Sequence, residues 1–173
     1  RQGERQVAIK RPYQAEYDRL KPMDLSDEAH GLFVEECRKA GIQPLTTIFS
    51  RSRIPFVASL GMQAVKVASY DCGSFPMLRE LREHFPYLIV STGATLDEEI
   101  EAAASLLAGH RFSFLHAVTI YPTPLDELHL KRMAYLRRFT PSVGLSDHTL
   151  VRRDGIKASV AAMSLGADVI ERH

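Results

Sequence analysis

The chain has 173 residues, is 45% hydrophobic and 25% charged, and carries a formal net charge of +1. That is ordinary globular composition with room for one cored domain, and it argues against a nucleic-acid groove or an acidic tail. Two cysteines, Cys37 and Cys72, make neither a disulfide framework nor a metal knuckle and suit a reducing, cytoplasmic setting, and no apolar run reaches the roughly 18 residues of a membrane span.

A short basic cluster at residues 1–11 is interrupted by Glu4 and reads as solvated surface. Ser26 is placed to cap a helix, with Asp27 and Glu28 in its first turn. Leu32, Phe33 and Cys37 then line one face, and Gly41 stops it. Apolar runs follow at 44–49, 64–69, 87–91, 112–118, 142–145 and 168–171. They are short and almost unbroken, as parallel strands buried on both faces are. Helices are expected between them. One covers 74–83. Another has Thr95 and Glu98 at capping-box spacing ahead of Ile100, Ala103 and Leu107. A third spans 124–137, and a last one carries Ile156, Val160 and Met163 between Asp154 and Gly166.

Strand–helix alternation predicts an α/β fold, a parallel sheet covered by helices. Thr47, Ser69, Ser91, Thr119, Ser146 and His173 each close an apolar run. Their spacing, roughly 22 to 28 residues, is that of βα units in a TIM barrel, which works at the carboxyl ends of its strands. Serine and threonine also simply punctuate strand ends. No Gly-rich fingerprint follows the first strand, which argues against an open dinucleotide fold.

Lys66 interrupts the apolar run "AVKVAS". A lysine there faces a partner or a ligand anion, or else snorkels out at the strand edge. Ser69, Ser91 and Thr92 add hydroxyls, and Gly93 lets backbone come close. Together they suggest a phosphate or carboxylate cradle. Asp71 suits a general acid/base or an ordinary turn before Gly73. Tyr121, between two prolines in "TIYPTP", positions a substrate or packs on the prolines. His116 reads as a satisfied core histidine. His148 and His173 end two successive strands, where two imidazoles converge on one divalent ion or stand as unrelated surface histidines. Asp147 or Glu171 is placed to orient an imidazole from behind.

The stretches "YDRLKPMDLSDEAH", "GIQPLTTIFS", "KVAS", "STGATLDEEIEAA", "YPTP", "GLSDHT" and "GADVIERH", in this order, resemble the sialic acid synthase family. The likeness runs from Tyr17 to His173. It implies an incomplete (β/α)8 barrel, about strands three to eight, over residues 1–173. The first two βα units and any C-terminal antifreeze-like domain would lie outside the chain, and the isolated fragment would be inactive. The resemblance implies condensation of phosphoenolpyruvate with N-acetylmannosamine or a related amino sugar, giving a nonulosonic acid and phosphate with the help of Mn²⁺ or Mg²⁺. It places Lys66, Ser69, Thr47, Ser91 and Ser146 at phosphoenolpyruvate, Asp71 in acid/base work, Tyr121 at the sugar, and His148 and His173 at the metal. Partners would be small molecules, with neither nucleic acid nor membrane, and a homodimer is open. Two features depart from the family. Thr119 stands where asparagine is usual in the sugar loop, and "VRRDG" reads as a loop insertion between the two histidines. A non-catalytic barrel relative, or an aldolase forming a Schiff base at Lys66, are the competing readings.

Overall fold

The computed structural model describes residues 13–173; the basic cluster at residues 1–11 lies outside the described residues. In chain order the elements are α1 (Tyr13–Leu20), α2 (Asp27–Lys39), α3 (Ile54–Ser59), β1 (Ala64–Val67), α4 (Phe75–His84), β2 (Tyr87–Ser91), α5 (Asp97–Leu106), β3 (Phe112–Ala117), α6 (Arg132–Leu136), β4 (Val143–Asp147), α7 (Val151–Asp154), α8 (Lys157–Ser164) and β5 (Val169–Arg172). The five strands form one parallel sheet in chain order. Short crossovers favour this order, because each helix returns the chain beside the strand it has just left.

The strands divide their side chains between two faces with period two. Val65, Val67, Leu88, Val90, Phe114, Val143 and Leu145 turn to the helices and meet Met77, Leu78, Leu81, Ile100, Ala103 and Ala162 in one core. Each buried Val, Leu, Ile, Phe or Met side chain among them stabilises by about 1.5–3 kcal/mol. The opposite face carries Lys66, Ile89, Ser91, Leu115, Gly144, Ser146 and Glu171, aligned by strand register. That face is concave. A flat sheet would hold β1 and β5 about 19 Å apart, four strand spacings, yet Lys66 Nζ on β1 lies 3.0 Å from Glu171 Oε2 on β5. The sheet therefore curls as a half-barrel.

Several expectations shift. The run at 44–49 adds no sixth strand. It gives a single parallel bridge, Thr47 to Lys66, with the Lys66 amide donating to the Thr46 carbonyl at 2.9 Å. The Ser26 cap forms, accepting from the Ala29 amide at 3.1 Å, and Gly41 ends α2 at φ +69°. The buried face of α2 is Val34 and Cys37, however, while Leu32 and Phe33 are exposed. The α5 cap sits one residue later than expected, with the Leu96 amide donating to Glu99 at 2.9 Å. The single helix expected at 124–137 is a 3-10 turn, Leu125–Glu127, followed by α6. His129 at φ +45° separates them, a conformation no helix interior tolerates. "VRRDG" is the helical turn α7 closed by Gly155 at φ +59°, not a loop. Ile156, Val160 and Met163 are exposed, and α8 buries Ala158, Ser159 and Ala162 instead. Among the described residues no helix is long and apolar enough to cross a membrane.

Candidate active site

At the carboxyl end of the concave face, Lys66 is only 7% exposed. Its ammonium pairs with Glu171, and the Ser146 hydroxyl donates to the same carboxylate oxygen. The lysine is buried and the glutamate only partly so, and deleting the carboxylate strands the buried charge. Burial opposes ionisation of Glu171, but Ser146 and Lys66 outweigh it and hold the carboxyl below the usual range. Sequence reasoning considered Glu171 only as a support for an imidazole. Here it joins the lysine, the serine and, at 3.5 Å, His173 Nε2. The available signal was an acid in an apolar run, in phase with Ser146.

Ser91 lies on the same face, buried, and its hydroxyl has no hydrogen-bond partner. An orphaned buried hydroxyl is costly and calls for a partner, water or ligand. Ser69 accepts from the Gly93 amide at 3.1 Å. A side chain at Gly93 would meet Ser69 Oγ at 3.0 Å, Thr119 Cγ2 at 3.1 Å and Ala117 Cβ at 3.2 Å. The close approach expected of that glycine is thus what joins the ends of β1, β2 and β3. Thr92 does not enter the cradle; its hydroxyl is taken by the Leu115 carbonyl at 3.1 Å. Thr47 stands beside Lys66 through the β-bridge. Asp71 follows Ser69 in a 3-10 turn. Its Oδ2 is buried without a partner, and burial raises its carboxyl above the ordinary value. His116 is the core histidine expected, buried, with Nε2 against the Leu128 carbonyl at 2.7 Å.

The rings of His148 and His173 meet edge to face with centroids 4.5 Å apart. Tyr121 packs on both, at 5.0 and 5.7 Å. His148 Nδ1 donates to the Val118 carbonyl at 2.8 Å, which leaves a lone pair on Nε2. Burial lowers the His148 pKa and so favours this neutral form. Ser146 Oγ is 3.2 Å from His148 Nε2 and 3.4 Å from His173 Nε2. Its single proton goes to Glu171, an acceptor-only group. The hydroxyl oxygen and the His148 lone pair then face each other with no proton between them, a setting that a cation relieves. Among the described residues no group of three His, Cys, Asp or Glu side chains is arranged to hold a metal. Two imidazoles alone suit an open ion that shares its remaining positions with water or substrate. A cleft of about 510 Å³ adjoins them, lined by Tyr121, Pro122, His148, Leu150, Val151 and His173 among others.

Asp147 does not touch either imidazole. It is fully buried on the helix side, accepting from the Thr149 amide at 2.9 Å, the Thr149 hydroxyl at 2.7 Å and the Ser159 hydroxyl at 2.7 Å. Burial opposes its charge, but those hydroxyls lower its pKa on balance. The aspartate folds the "SDHT" turn onto α8, and its own carbonyl accepts the His173 amide at 3.2 Å. It holds both histidine backbones, not their rings.

Residues 2–173 match the NeuB family. The N,N'-diacetyllegionaminic acid synthase of Campylobacter jejuni is 32% identical over 96% of this chain and 53% of its own length. The enzyme of the same name from Legionella pneumophila is 34% identical over 91% of this chain and 46% of its own length. The crystal structure of N-acetylneuraminic acid (sialic acid) synthetase from Leptospira borgpetersenii, in complex with citrate, superposes with a TM-score of 0.84 at 25% identity. It covers 94% of this chain and 57% of that one. A DAHP synthase from Thermotoga maritima shares the fold, with a TM-score of 0.71 at 18% identity. The chain spans about half the length of the curated relatives it matches. With a half-barrel whose concave end gathers a lysine, hydroxyls and paired imidazoles, and with a family match over nearly every residue, the chain belongs to the NeuB family.

Proposed function

We propose that this chain forms part of the active site of a synthase that condenses phosphoenolpyruvate with an open-chain amino sugar to a nonulosonic acid and phosphate. One observation carries the reading. An anion cradle (Lys66, Ser146 and the orphaned Ser91 hydroxyl) and a cation-seeking imidazole pair share Ser146 on one concave face. The names of the relatives, synthases of legionaminic, pseudaminic and sialic acids, support it.

In this reading Lys66, Ser69, Ser91 and Ser146 hold the phosphoryl and carboxyl oxygens of phosphoenolpyruvate. Fixed donors of that kind act without reorganising during the reaction. Thr47 and Thr119 border the cradle. Tyr121, packed against the histidines at the cleft, meets the sugar. Asp71, its pKa raised by burial, holds a proton for water or leaving group more readily than an ordinary aspartate. His148 and His173 would hold Mn²⁺ or Mg²⁺. A divalent ion there supplies Lewis acidity toward an aldehyde oxygen. The Lys66–Glu171 pair weighs against a Schiff base at Lys66, since an ammonium held by a carboxylate is not a nucleophile. A small-molecule biosynthetic role in the cytoplasm fits this chemistry.

The test is phosphate release by the intact protein from phosphoenolpyruvate with N-acetylmannosamine, or with the precursors of legionaminic or pseudaminic acid, in the presence of Mn²⁺. His148→Ala should abolish turnover and leave the far-ultraviolet circular dichroism unchanged. Full turnover in that variant would overturn the metal assignment. No turnover by the unmutated protein with any of the three sugars would overturn the synthase reading.

A further inference from the structure

Glu171 sits where the proposed function has no use for an acid. Lys66 is buried, and its ammonium is spent on Glu171 Oε2 at 3.0 Å. The Ser146 hydroxyl is spent on the same oxygen. His173 Nε2 approaches that oxygen at 3.5 Å. A lysine from β1 and a serine from β4 thus converge on one carboxylate oxygen, as they would on an oxygen of a bound phosphate or carboxylate. One lysine cannot neutralise Glu171 and an arriving anion together, and two like charges side by side in a partly dry site repel strongly. The glutamate has somewhere to go, because its side chain is 28% exposed.

We infer that Glu171 is an internal anion that fills the ligand's place in the empty cradle and must swing away from Lys66 and Ser146 before a phosphate or carboxylate can bind. The inference rests on the reading of Lys66 as an anion-binding group. Glu171 then works as a gate on substrate entry. It holds Lys66 in place when the site is empty, and it makes the cradle refuse anions too weakly held to displace it.

Calorimetry on the intact, metal-free protein tests this with inorganic phosphate and with pyruvate as separate probes. Pyruvate stands for the carboxylate and phosphate for the phosphoryl group. Glu171→Gln keeps the shape and an acceptor for Ser146 but removes the charge; Glu171→Ala removes both. Each variant should bind at least one probe more tightly than the unmutated protein, on the order of tenfold. The probe that gains identifies the group Glu171 mimics. Lys66→Met should lose binding. Two results overturn the inference in distinguishable ways. If both Glu171 variants bind the probes no better than the unmutated protein while Lys66→Met loses them, the cradle is real and Glu171 does not compete for it. If Lys66→Met binds both probes as the unmutated protein does, or neither probe binds any of the four proteins, the anion reading of Lys66 fails and the gate fails with it.

Discussion

Replacing Gly144 with alanine puts a methyl carbon 2.0 Å from the Val169 carbonyl oxygen and 2.7 Å from Leu115 Cδ2. A carbon needs about 3.3 Å from such an oxygen, so β5 must retreat by roughly 1.3 Å from β4. The methyl has no room to escape, since its neighbours are the backbone of one strand and a fully buried leucine of another. Gly144 pairs with Val169, and the same ladder sets Ser146 against Glu171 and Asp147 against Arg172. Overpacking costs about 1–3 kcal/mol, and each ladder bond lost adds about 0.5–1.5 kcal/mol. A destabilisation of about 3–5 kcal/mol follows, a large part of the roughly 5–15 kcal/mol that holds a domain together. Gly31 is the control. It lies inside α2 with nothing within 4 Å of its would-be Cβ, so Gly31→Ala should stabilise by about 0.5–1 kcal/mol through helix propensity. Urea denaturation followed by circular dichroism reads both. A midpoint for Gly144→Ala equal to that of the unmutated protein would refute the tight β4–β5 register, and with it the placement of His173 and Glu171.

Burial lowers the pKa of His116, so the folded imidazole stays neutral at a pH where the unfolded one, near 6.5, already binds a proton. Unfolding therefore takes up a proton below about pH 6.5, and stability present above that value is lost as the pH falls toward the folded pKa. His110 and His148 shift in the same direction. His116→Gln should flatten the fall in urea midpoint between pH 7.5 and 5.5 without removing it; an unchanged slope would count against the buried neutral ring. Burial pushes the Cys72 thiol up to about 12. Native protein at pH 8 should leave Cys72 unalkylated by iodoacetamide while denatured protein reacts, and stoichiometric labelling of native Cys72 by mass spectrometry would contradict its placement.

What local chemistry decides was legible in the residues. Ser26 caps because a hydroxyl before an acidic first turn satisfies an amide wherever the helix packs. Ile100, Ala103 and Leu107 are buried because α5 has one apolar face. Lys66 and Ser146 were identified by their positions in apolar runs, and the pairing of His148 with His173 by their place at the ends of successive strands. Choices between equal candidates were not legible. Leu32 and Phe33 are as apolar as Val34, yet only Val34 is buried, because periodicity marks a stripe and the neighbouring element picks which edge of it is covered. Ser91 and Thr92 are adjacent hydroxyls, and the pleat alone sends one to the concave face and the other to a backbone carbonyl. Glu171 is the plainest case. It is 105 residues from Lys66 in sequence and at the far end of the sheet from it. The residues determined that a lysine and a glutamate would each stand in a strand. Their meeting at 3.0 Å was decided by the curvature of five packed strands, a property of the whole sheet that no single strand carries.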